Sequence, residues 1–400
     1  MSTDLSPAPE QTLDRGTATT GRDIILVCNS EQELGGLTTW IHHIAQLFAD
    51  RGHSVRVVGV TPPTVRDTRP RELGYPTETL CPEGLPGRTR ARGGPLRRLD
   101  LAARRAGARR EAVRTQAVER LNTLFRAARP GAVVIVAQVW AMELVVDADT
   151  TGLKVIGMSH ESFEATKATS RFLRVQRYYA DVDRLLALTQ QDADAWARQG
   201  MSSVSAMPNP LPLTAEHTAP RTAKVVMSLG RLSHEKGYDM LLDAWAQVAP
   251  RAADWTLRIY GDGEEREALE AQCAALGLQD SVDFAGRTGD VASALRGSSV
   301  LVQPSRAEGF PLTLLEAMAH GIPCVSFDCA PGVREIIEDE VDGLVVQPGD
   351  VDAFARAVSR LIDDRELRER LGDRAFQEVQ RFAPETIAVR WEQLFDFLYR

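Results

Sequence analysis

The sequence predicts an α/β protein made of two doubly wound, Rossmann-like domains whose parallel sheets face each other across a cleft. Short apolar, β-branched runs alternate with longer segments of helical periodicity, which is typical of βαβ units. Six such runs precede a proline-rich break at Met207–Pro212, and six follow it. Because three prolines within five residues end regular structure and stiffen a connector, we expect the two domains to be joined there.

The apolar runs give the positions of the predicted strands. In the first half these are Asp23–Val27, Val55–Val60, Ala132–Ala137, Leu153–Gly157, Arg184–Leu188 and Ser203–Met207. In the second half they are Lys224–Leu229, Trp255–Tyr260, Ser281–Phe284, Ser299–Gln303, Pro323–Phe327 and Gly343–Gln347. Open parallel sheets bind ligands beyond the carboxyl ends of their strands, so we expect a site in the cleft.

The predicted domain boundaries follow from the break and from local composition. Residues 1–21 are rich in Ser, Thr and Pro and lack the apolar core of a signal peptide, so we expect a disordered leader there. The two domains then span 22–207 and 214–383, with a linker at 208–213. Apolar residues recur at helical spacing in 384–400. This pattern predicts a helix that either closes the second domain or crosses back to brace the first.

The bulk composition narrows the range of functions. A net charge of −8 argues against a general nucleic-acid-binding protein, which needs a surplus of Lys and Arg. The five cysteines are scattered without metal-ligand spacing, and no apolar run approaches the ~18 residues that span a bilayer. These features predict a cytoplasmic protein with free thiols.

The most informative segment, EGFPLTLLE at 308–316, follows the strand Ser299–Gln303 and runs into a predicted helix at Leu312–Ala319. The unpaired N–H groups at a helix start suit a diphosphate, whereas glutamates there suit neutral hydroxyls. Glu308 is therefore predicted to bind hydroxyls of a sugar, and Glu316 those of a ribose. The alternative interpretation is a helix with ordinary acids near its first turn.

A second segment, SLGRLSHEKG at 228–237, follows the strand Lys224–Leu229. Arg231 and Lys236 lie on this glycine-bounded loop at the carboxyl end of the strand. Two cations there can neutralise a diphosphate leaving group. The alternative is that both are solvated surface residues, as most arginines and lysines are.

Two weaker signals lie in the first domain. Gly35-Gly36 separates the first strand from a helix, so its backbone can approach a ligand and present N–H groups. Such a pair is more often only a turn. His160 follows the strand Leu153–Gly157 and is expected to face the cleft, although a lone histidine is usually structural.

Taken in order along the chain, these segments resemble the retaining, GT-B-fold glycosyltransferases of family 4, also called glycosyltransferase group 1. The resemblance covers roughly residues 22–400 and is more specific in the second half. The matching residues are Gly35-Gly36, His160, Pro208-Asn209-Pro210, Gly230-Arg231-Leu232, Glu235-Lys236-Gly237, Gly261-Asp262-Gly263, Pro304-Ser305, the pair Glu308 and Glu316, Glu316-Ala317-Met318-Ala319 and Gly321-Ile322-Pro323.

This resemblance implies a GT-B fold in which the second domain binds most of the donor and the last helix crosses back. It implies that Arg231 and Lys236 hold the diphosphate, that Glu308 contacts the transferred sugar, and that Glu316 contacts the ribose. It also implies that Gly36 approaches the phosphate and that His160 lies near the anomeric carbon. The other predicted donor-site residues are Gly35, Arg287, Gly309, Phe310, Leu312 and Thr313.

The predicted reaction is retaining transfer of a hexose to an acceptor hydroxyl from a nucleotide-diphosphate sugar. UDP-hexose or UDP-HexNAc is favoured, with GDP-mannose as the alternative donor. Two cations at the diphosphate remove the need for a metal, so we expect neither metal nor cofactor, the nucleotide sugar being a co-substrate. The Asp-x-Asp strings at 147–149, 181–183 and 192–194 are interpreted as surface charge. Two alternatives remain open: a GT-B nucleotide-sugar epimerase and a non-catalytic GT-B scaffold.

The segment 88–129 contains thirteen arginines and three acidic residues, a local net charge of +10. One interpretation is a solvated helical face. The other is a face that meets an anionic or lipid-linked acceptor, with the protein lying peripherally at the inner face of the membrane. In that case Leu121, Leu124, Phe125 and other apolar residues of the segment would supply an apolar side.

Overall fold

The computed structural model describes residues 21–67, 72–86, 101–212 and 217–400. It contains two parallel sheets, one of seven strands and one of six, each covered by helices. This confirms the predicted α/β class with two doubly wound sheets. The predicted leader, apart from Gly21, and residues 88–100 of the arginine-rich segment lie outside the described residues.

All six strands predicted in the first half are present, and the sheet gains a seventh. The strands are β1 Asp23–Cys28, β2 Ser54–Gly59, β3 Thr77–Thr79, β4 Val133–Val136, β5 Lys154–Ser159, β6 Arg184–Ala187 and β7 Val204–Ala206. They pair in the order β3-β2-β1-β4-β5-β6-β7. The sequence did not predict β3, because this three-residue edge strand is polar and half-buried and lacks the apolar run of an inner strand.

Helices cover both faces of this sheet. They are α1 Gly36–Asp50, α2 Leu101–Ala127, α3 Val139–Val145, α4 Phe163–Lys167, α5 Arg171–Tyr178 and α6 Gln190–Arg198. Side chains alternate along β1, so that Ile24 and Leu26 share a core with α1 while Ile25 and Val27 pack with α2 and α3. The central strands β1, β4, β5 and β6 are buried on both faces, which explains their apolar runs.

The second sheet has the strand order β10-β9-β8-β11-β12-β13. Its strands are β8 Val225–Leu229, β9 Thr256–Tyr260, β10 Val282–Gly286, β11 Val300–Gln303, β12 Cys324–Phe327 and β13 Gly343–Val346. Its helices are α7 Tyr238–Val248, α8 Arg266–Ala275, α9 Val291–Arg296, α10 Leu312–Ala319, α11 Pro331–Ile336, α12 Val351–Asp363 and α13 Arg365–Glu378.

The strand order of each sheet reverses at one point. The reversal falls between β1 and β4 in the first sheet and between β8 and β11 in the second. Loops that leave the carboxyl ends of such a strand pair diverge to opposite faces and open a crevice, where ligands bind in this class of fold. The loops after β1, β8 and β11 therefore frame the place where a site is expected.

The last helix, α14 Pro384–Leu398, returns to the first sheet. Trp391 and Phe395 are buried, and their ring centroids lie 5.8 and 5.6 Å from that of Phe48 on α1. Glu392 accepts hydrogen bonds from Arg51 Nε and Nη2 at 2.6 and 2.7 Å. The chain thus passes twice between the halves, and the two crossings touch where the Leu211 N–H donates to the Phe382 carbonyl at 2.8 Å.

The Arg51–Glu392 pair gives a stability prediction. We expect Glu392→Gln to lower the free energy of unfolding by about 1–3 kcal/mol, because a half-buried guanidinium loses its charged partner. Burial alone would raise the pKa of Glu392, but the hydrogen bonds and charge of Arg51 hold that pKa below its ordinary value. This stabilisation is therefore complete above about pH 4.3 and is lost as the pH falls through the lower folded pKa.

Urea unfolding at pH 7 and at acidic pH, followed by tryptophan fluorescence, measures this effect. Glu378→Gln is the matched control, because its pairs with Arg374 and Arg381 are largely solvent-accessible and their loss should change stability by less than about 0.5 kcal/mol. Equal effects of the two substitutions would show that the Arg51–Glu392 contact does not anchor α14.

Candidate functional site

The centre of the candidate site is an ion pair between the two loops at the reversal point of the second sheet. Lys236, after β8, donates from Nζ to Glu308 Oε1, after β11, at 2.6 Å. The Glu308 side chain is 11% exposed and also accepts from Ser305 Oγ at 2.7 Å. The structure thus brings together two residues that the sequence predicted separately.

Residues that the sequence analysis missed join these two loops. The Arg306 guanidinium makes a bidentate pair with Asp239 at 2.7 and 2.6 Å, and its backbone N–H donates to the Glu235 carbonyl at 2.8 Å. Gly237 has φ 67°, and a β-carbon there would overlap the Pro304 carbonyl oxygen. The position of Lys236 beside Glu308 is therefore fixed by backbone packing as well as by charge.

Arg231 lies exposed on the same loop, which a neighbouring glycine turn supports. β-Carbons at Gly261 and Gly263 would overlap the carbonyl oxygens of Gly230 and Leu232, so the Gly-Asp-Gly turn after β9 must lie directly against this loop. Arg287, after β10, is 3.7 Å from the Asp262 carboxylate of that turn and is largely exposed. Arg287, one of the predicted donor-site residues, therefore lies farther along the same edge of the sheet.

The start of α10 matches its predicted position, beginning at Leu312. Pro311 caps the helix without a side-chain hydrogen bond and precedes its first position, and the first turn carries no acid. The Thr313 hydroxyl lies 2.8 Å from Gln303 Oε1, so the groups left for an anion here are backbone N–H groups. Glu316 lies farther along the helix and is half-buried.

Phe310 was predicted to take part in donor binding, but its ring points into the core. The ring is 4% exposed and packs edge-on against Phe382, with 5.4 Å between the ring centroids. What Phe310 can offer a ligand is therefore its backbone.

The Gly35-Gly36 turn opens α1 on the other side of the cleft. Gly36 is the first residue of α1, Gly35 makes no side-chain cap, and the first turn has no acid. β-Carbons at the two positions would meet nothing within 4 Å, so the glycines leave open space in front of a helix N-terminus. This arrangement can accept an anion.

His160 directly follows β5 and lies against Trp40 of α1. Their ring centroids are 4.4 Å apart in an edge-on arrangement, and Trp40 is 3% exposed. Among the described residues, His160 Nε2 is buried without a hydrogen-bond partner. Burial lowers the pKa of His160 to about 3, so the imidazole is uncharged at neutral pH.

The two halves touch at His160 and Gly309. A β-carbon at Gly309 would overlap the His160 carbonyl oxygen, and one at Gly332 would overlap the Gly309 carbonyl oxygen. Gly309 thus lies between the loop after β5 and the second residue of α11. Together with the Trp40–His160 and Lys236–Glu308 contacts, this packing links α1, His160, Glu308 and Lys236 across the cleft.

The contact between Trp40 and His160 gives a pH prediction. Removing the indole in Trp40→Ala should hydrate the imidazole and raise the pKa of His160 towards ~6.5. Below that pH the variant would carry an added positive charge in the cleft, whereas the wild-type histidine remains neutral. NMR titration of the His160 ring signals, assigned with His160→Gln, measures the change. Trp40→Phe should stay close to wild type, and an unchanged pKa in Trp40→Ala would contradict this account.

The Asp-x-Asp strings have partners within the protein, and the surface-charge interpretation is wrong for Asp192, which is 3% exposed and accepts from the Phe163 N–H, three residues after His160. Asp147 pairs with Arg114, Asp183 pairs with Lys154, and Asp192 accepts from Thr189 Oγ1 at 2.6 Å. Within the described ranges, no group of three or more His, Cys, Asp or Glu side chains is arranged to hold a metal ion.

Comparison with known proteins gives a consistent result. A family model described as glycosyl transferases group 1 matches residues 213–378. The chain is 32% identical over 245 residues to an uncharacterised glycosyltransferase of Haemophilus influenzae, covering 60% of this chain and 69% of that protein. It is 30% identical over 249 residues to the amylovoran biosynthesis glycosyltransferase AmsD of Erwinia amylovora, covering 60% and 70%.

A solved structure extends the likeness to nearly the whole chain. Anabaena HepE in complex with UDP and glucose superposes with a TM-score of 0.73 at 21% identity, covering 93% of this chain and 99% of that one. At this identity the likeness concerns the fold, and it places both sheets and the cleft in one shared architecture.

Proposed function

Because the chain belongs to the group 1 glycosyltransferases, which have the GT-B fold and transfer a sugar from a nucleotide sugar, we propose that it is a family 4, retaining hexosyltransferase. The observation that carries this proposal is the pairing of Lys236 with Glu308 at the reversal point of the second sheet. We further propose a UDP-hexose or UDP-HexNAc donor, with GDP-mannose as the alternative, and catalysis without metal or cofactor. The binding of UDP by HepE supports UDP as the nucleotide.

Lys236 and Arg231 would act on the departing nucleotide diphosphate. Lys236 is anchored at one oxygen of Glu308, and an ammonium has two further donors to offer a phosphate. Arg231 is exposed on the same loop, and the uncapped starts of α1 and α10 add backbone N–H groups. Charge that develops on the leaving oxygen would therefore meet preorganised donors, and stabilisation of this kind is often what lowers a reaction barrier most.

Glu308 and His160 would orient the sugar and not form a covalent bond to it. The Glu308 carboxylate is already engaged by Lys236 and Ser305, which leaves it an acceptor for sugar hydroxyls. His160 is neutral and can only donate or accept a hydrogen bond. We therefore propose a same-face route in which the acceptor oxygen replaces the diphosphate oxygen at C1 through an oxocarbenium-like transition state. The acceptor proton would pass to the departing phosphate.

Thermal shift measurements with UDP, GDP, ADP, dTDP and their hexose derivatives test the donor. We expect a selective rise with one nucleotide, and UDP first. Loss of that rise in Lys236→Ala would place binding at this loop. No shift with any nucleotide would favour the scaffold alternative over a transferase.

The products distinguish the remaining alternatives. A retaining transferase gives a product with the anomeric configuration of the donor and needs an acceptor, whereas an epimerase releases a free epimer without one. NMR of the reaction mixture with and without acceptor separates these outcomes. A trapped glycosyl–protein adduct would contradict the same-face route.

We also propose an anionic or lipid-linked acceptor and a cytoplasmic location, peripherally at the inner membrane face. Support comes from the arginines of α2, several of which are exposed on the first half of the molecule. No helix within the described residues is both long and apolar enough to cross a membrane.

A further inference from the structure

Helix α2 is longer than the layer that it covers. Its 27 residues span roughly 40 Å, whereas the strands of the first sheet have three to six residues and span roughly 10–20 Å. The helix leads into the start of β4, so its C-terminal half packs on the sheet. Its N-terminal half extends towards the carboxyl edge of the sheet, where the cleft lies.

The apolar face of α2 is not available to a membrane. Leu121 and Phe125 are 0% and 3% exposed and belong to the core beneath the sheet, together with Ala117. The expectation that they supply an apolar side for a lipid surface is therefore wrong, because the sheet and α3 already cover them. Any attraction of α2 to an anionic surface must come from its charges.

The described arginines of α2 and its C-terminal end fall into two groups. Most are engaged within the protein: Arg110 by the Pro86 carbonyl, Arg114 by Asp147, Arg120 by the Leu80 carbonyl, Arg126 by Glu119 and Arg129 by Asp23. The others are exposed and have no ion-pair partner within the described ranges. These are Arg104, Arg105 and Arg109, all in the extended N-terminal half.

The helices that pack next to α2 carry exposed apolar groups. Helix α3 packs between α2 and α5, and Arg114 reaches the carboxyl end of α3 at Asp147. The turns of α2 before Arg114 therefore lie beside or beyond the first turn of α3, which carries Trp140. This indole is 39% exposed, and the Arg174 guanidinium of α5 lies over it at 3.8 Å from its centroid. Next to Arg174, Leu173 is 70% exposed.

We infer that this face, which we call the α2 surface (Arg104, Arg105, Arg109, Trp140 and Leu173), docks the protein on an anionic lipid bilayer. Arginines attract acidic headgroups, and an exposed tryptophan and leucine suit the region between headgroups and acyl chains. The whole chain has a net charge of −8, so an acidic membrane would repel most of its surface and select this face. Membrane docking would bring the cleft to the proposed lipid-linked acceptor. Its role in catalysis rests on that proposed function, whereas the docking itself does not.

Flotation of the full chain with vesicles tests this inference without any nucleotide sugar. We expect binding to phosphatidylcholine vesicles that contain phosphatidylglycerol, no binding to pure phosphatidylcholine, and loss of binding at high salt. The triple variant Arg104→Glu, Arg105→Glu, Arg109→Glu should bind on the order of 100-fold more weakly. Trp140→Ala with Leu173→Ala should weaken binding to the anionic vesicles at constant salt.

The matched control is a second triple variant that has the same change in charge on other parts of the surface. Arg198, Arg251 and Arg356 are exposed, and none has an ion-pair partner among the described residues. Their replacement by Glu should leave flotation within a few-fold of wild type. Equal loss in both triple variants, or no flotation at low salt, would overturn the inference.

Soluble anions form the second arm of the test. One outcome would overturn bilayer docking and indicate a soluble anionic acceptor instead. In it, inorganic pyrophosphate raises the melting temperature of the wild type but not of the Arg104, Arg105 and Arg109 triple variant, and the wild type does not float with vesicles. The nucleotide thermal shift should be unchanged in the triple variant. Flotation therefore tests the α2 surface, and the nucleotide thermal shift tests the proposed donor site, so each proposal can be wrong without the other.

Discussion

Lys236→Ala is expected to lower kcat/KM for sugar transfer by about 10²–10³-fold, the size typical of removing one preorganised donor from a charge-stabilising site. The ammonium is held by Glu308 and by the packing of Gly237 on Pro304, so its position is set before a ligand arrives. The substitution removes a cation and also leaves the Glu308 carboxylate uncompensated where a diphosphate would approach. We therefore expect weaker nucleotide binding together with a lower kcat.

Steady-state kinetics and nucleotide titration of the variant measure both effects. Lys224→Ala is the matched control, because its pair with Asp254 lies on the surface with both side chains more than half exposed. It should leave kcat/KM and nucleotide affinity within about two-fold of wild type. A Lys236→Ala enzyme that keeps its kcat would show that Arg231 and the helix starts carry the leaving-group charge without it.

Gly309→Ala is the second substitution with a large expected effect. The new β-carbon would overlap the His160 carbonyl oxygen, and backbone strain is not involved, because Gly309 does not have a positive φ. The loop and the facing half must move apart by about an ångström or more. A misplacement of that size at a reacting centre costs about 100-fold in rate. We expect kcat to fall about 100-fold while nucleotide affinity changes much less.

Two further variants make this result interpretable. Gly332→Ala would overlap the Gly309 carbonyl oxygen from the other side and should act in the same direction. Gly297 has φ −83°, and a β-carbon there would meet its nearest atoms at 3.5 Å. Gly297→Ala should therefore leave kcat and nucleotide affinity unchanged. Thermal unfolding and nucleotide binding would show that the Gly309 variant is folded. Full activity in that variant would mean that this contact opens during turnover.

The central strands of both sheets were predictable because they are buried on both faces and therefore have apolar runs in the sequence. The start of α10 at Leu312 was predictable because a strand, a turn and a proline precede it. β3 was not predictable, since Thr77 and Glu78 have the composition of a loop. Its strand character comes from pairing with β2, which is a tertiary effect.

The site was only partly predictable. Lys236 and Glu308 were both identified, but their contact joins residues 72 positions apart, which spacing cannot show. Arg306, Asp239 and Trp40 were not singled out, because isolated charges are usually solvated and a tryptophan in an amphipathic helix is usually a core residue. Leu121 and Phe125 were expected on the surface but lie in the core, because apolar residues among arginines can face either a membrane or a core.

The hydrogen bond between Leu211 and Phe382 has a mechanical consequence. It holds the two covalent crossings side by side, so rotation of one half against the other can be taken up by the backbone torsions of a few residues there. The Phe382 ring also packs on Phe310, the residue after Gly309, so such a rotation acts directly on the contact between Gly309 and His160. Opening of the cleft would then be a hinge motion that leaves both sheets undeformed.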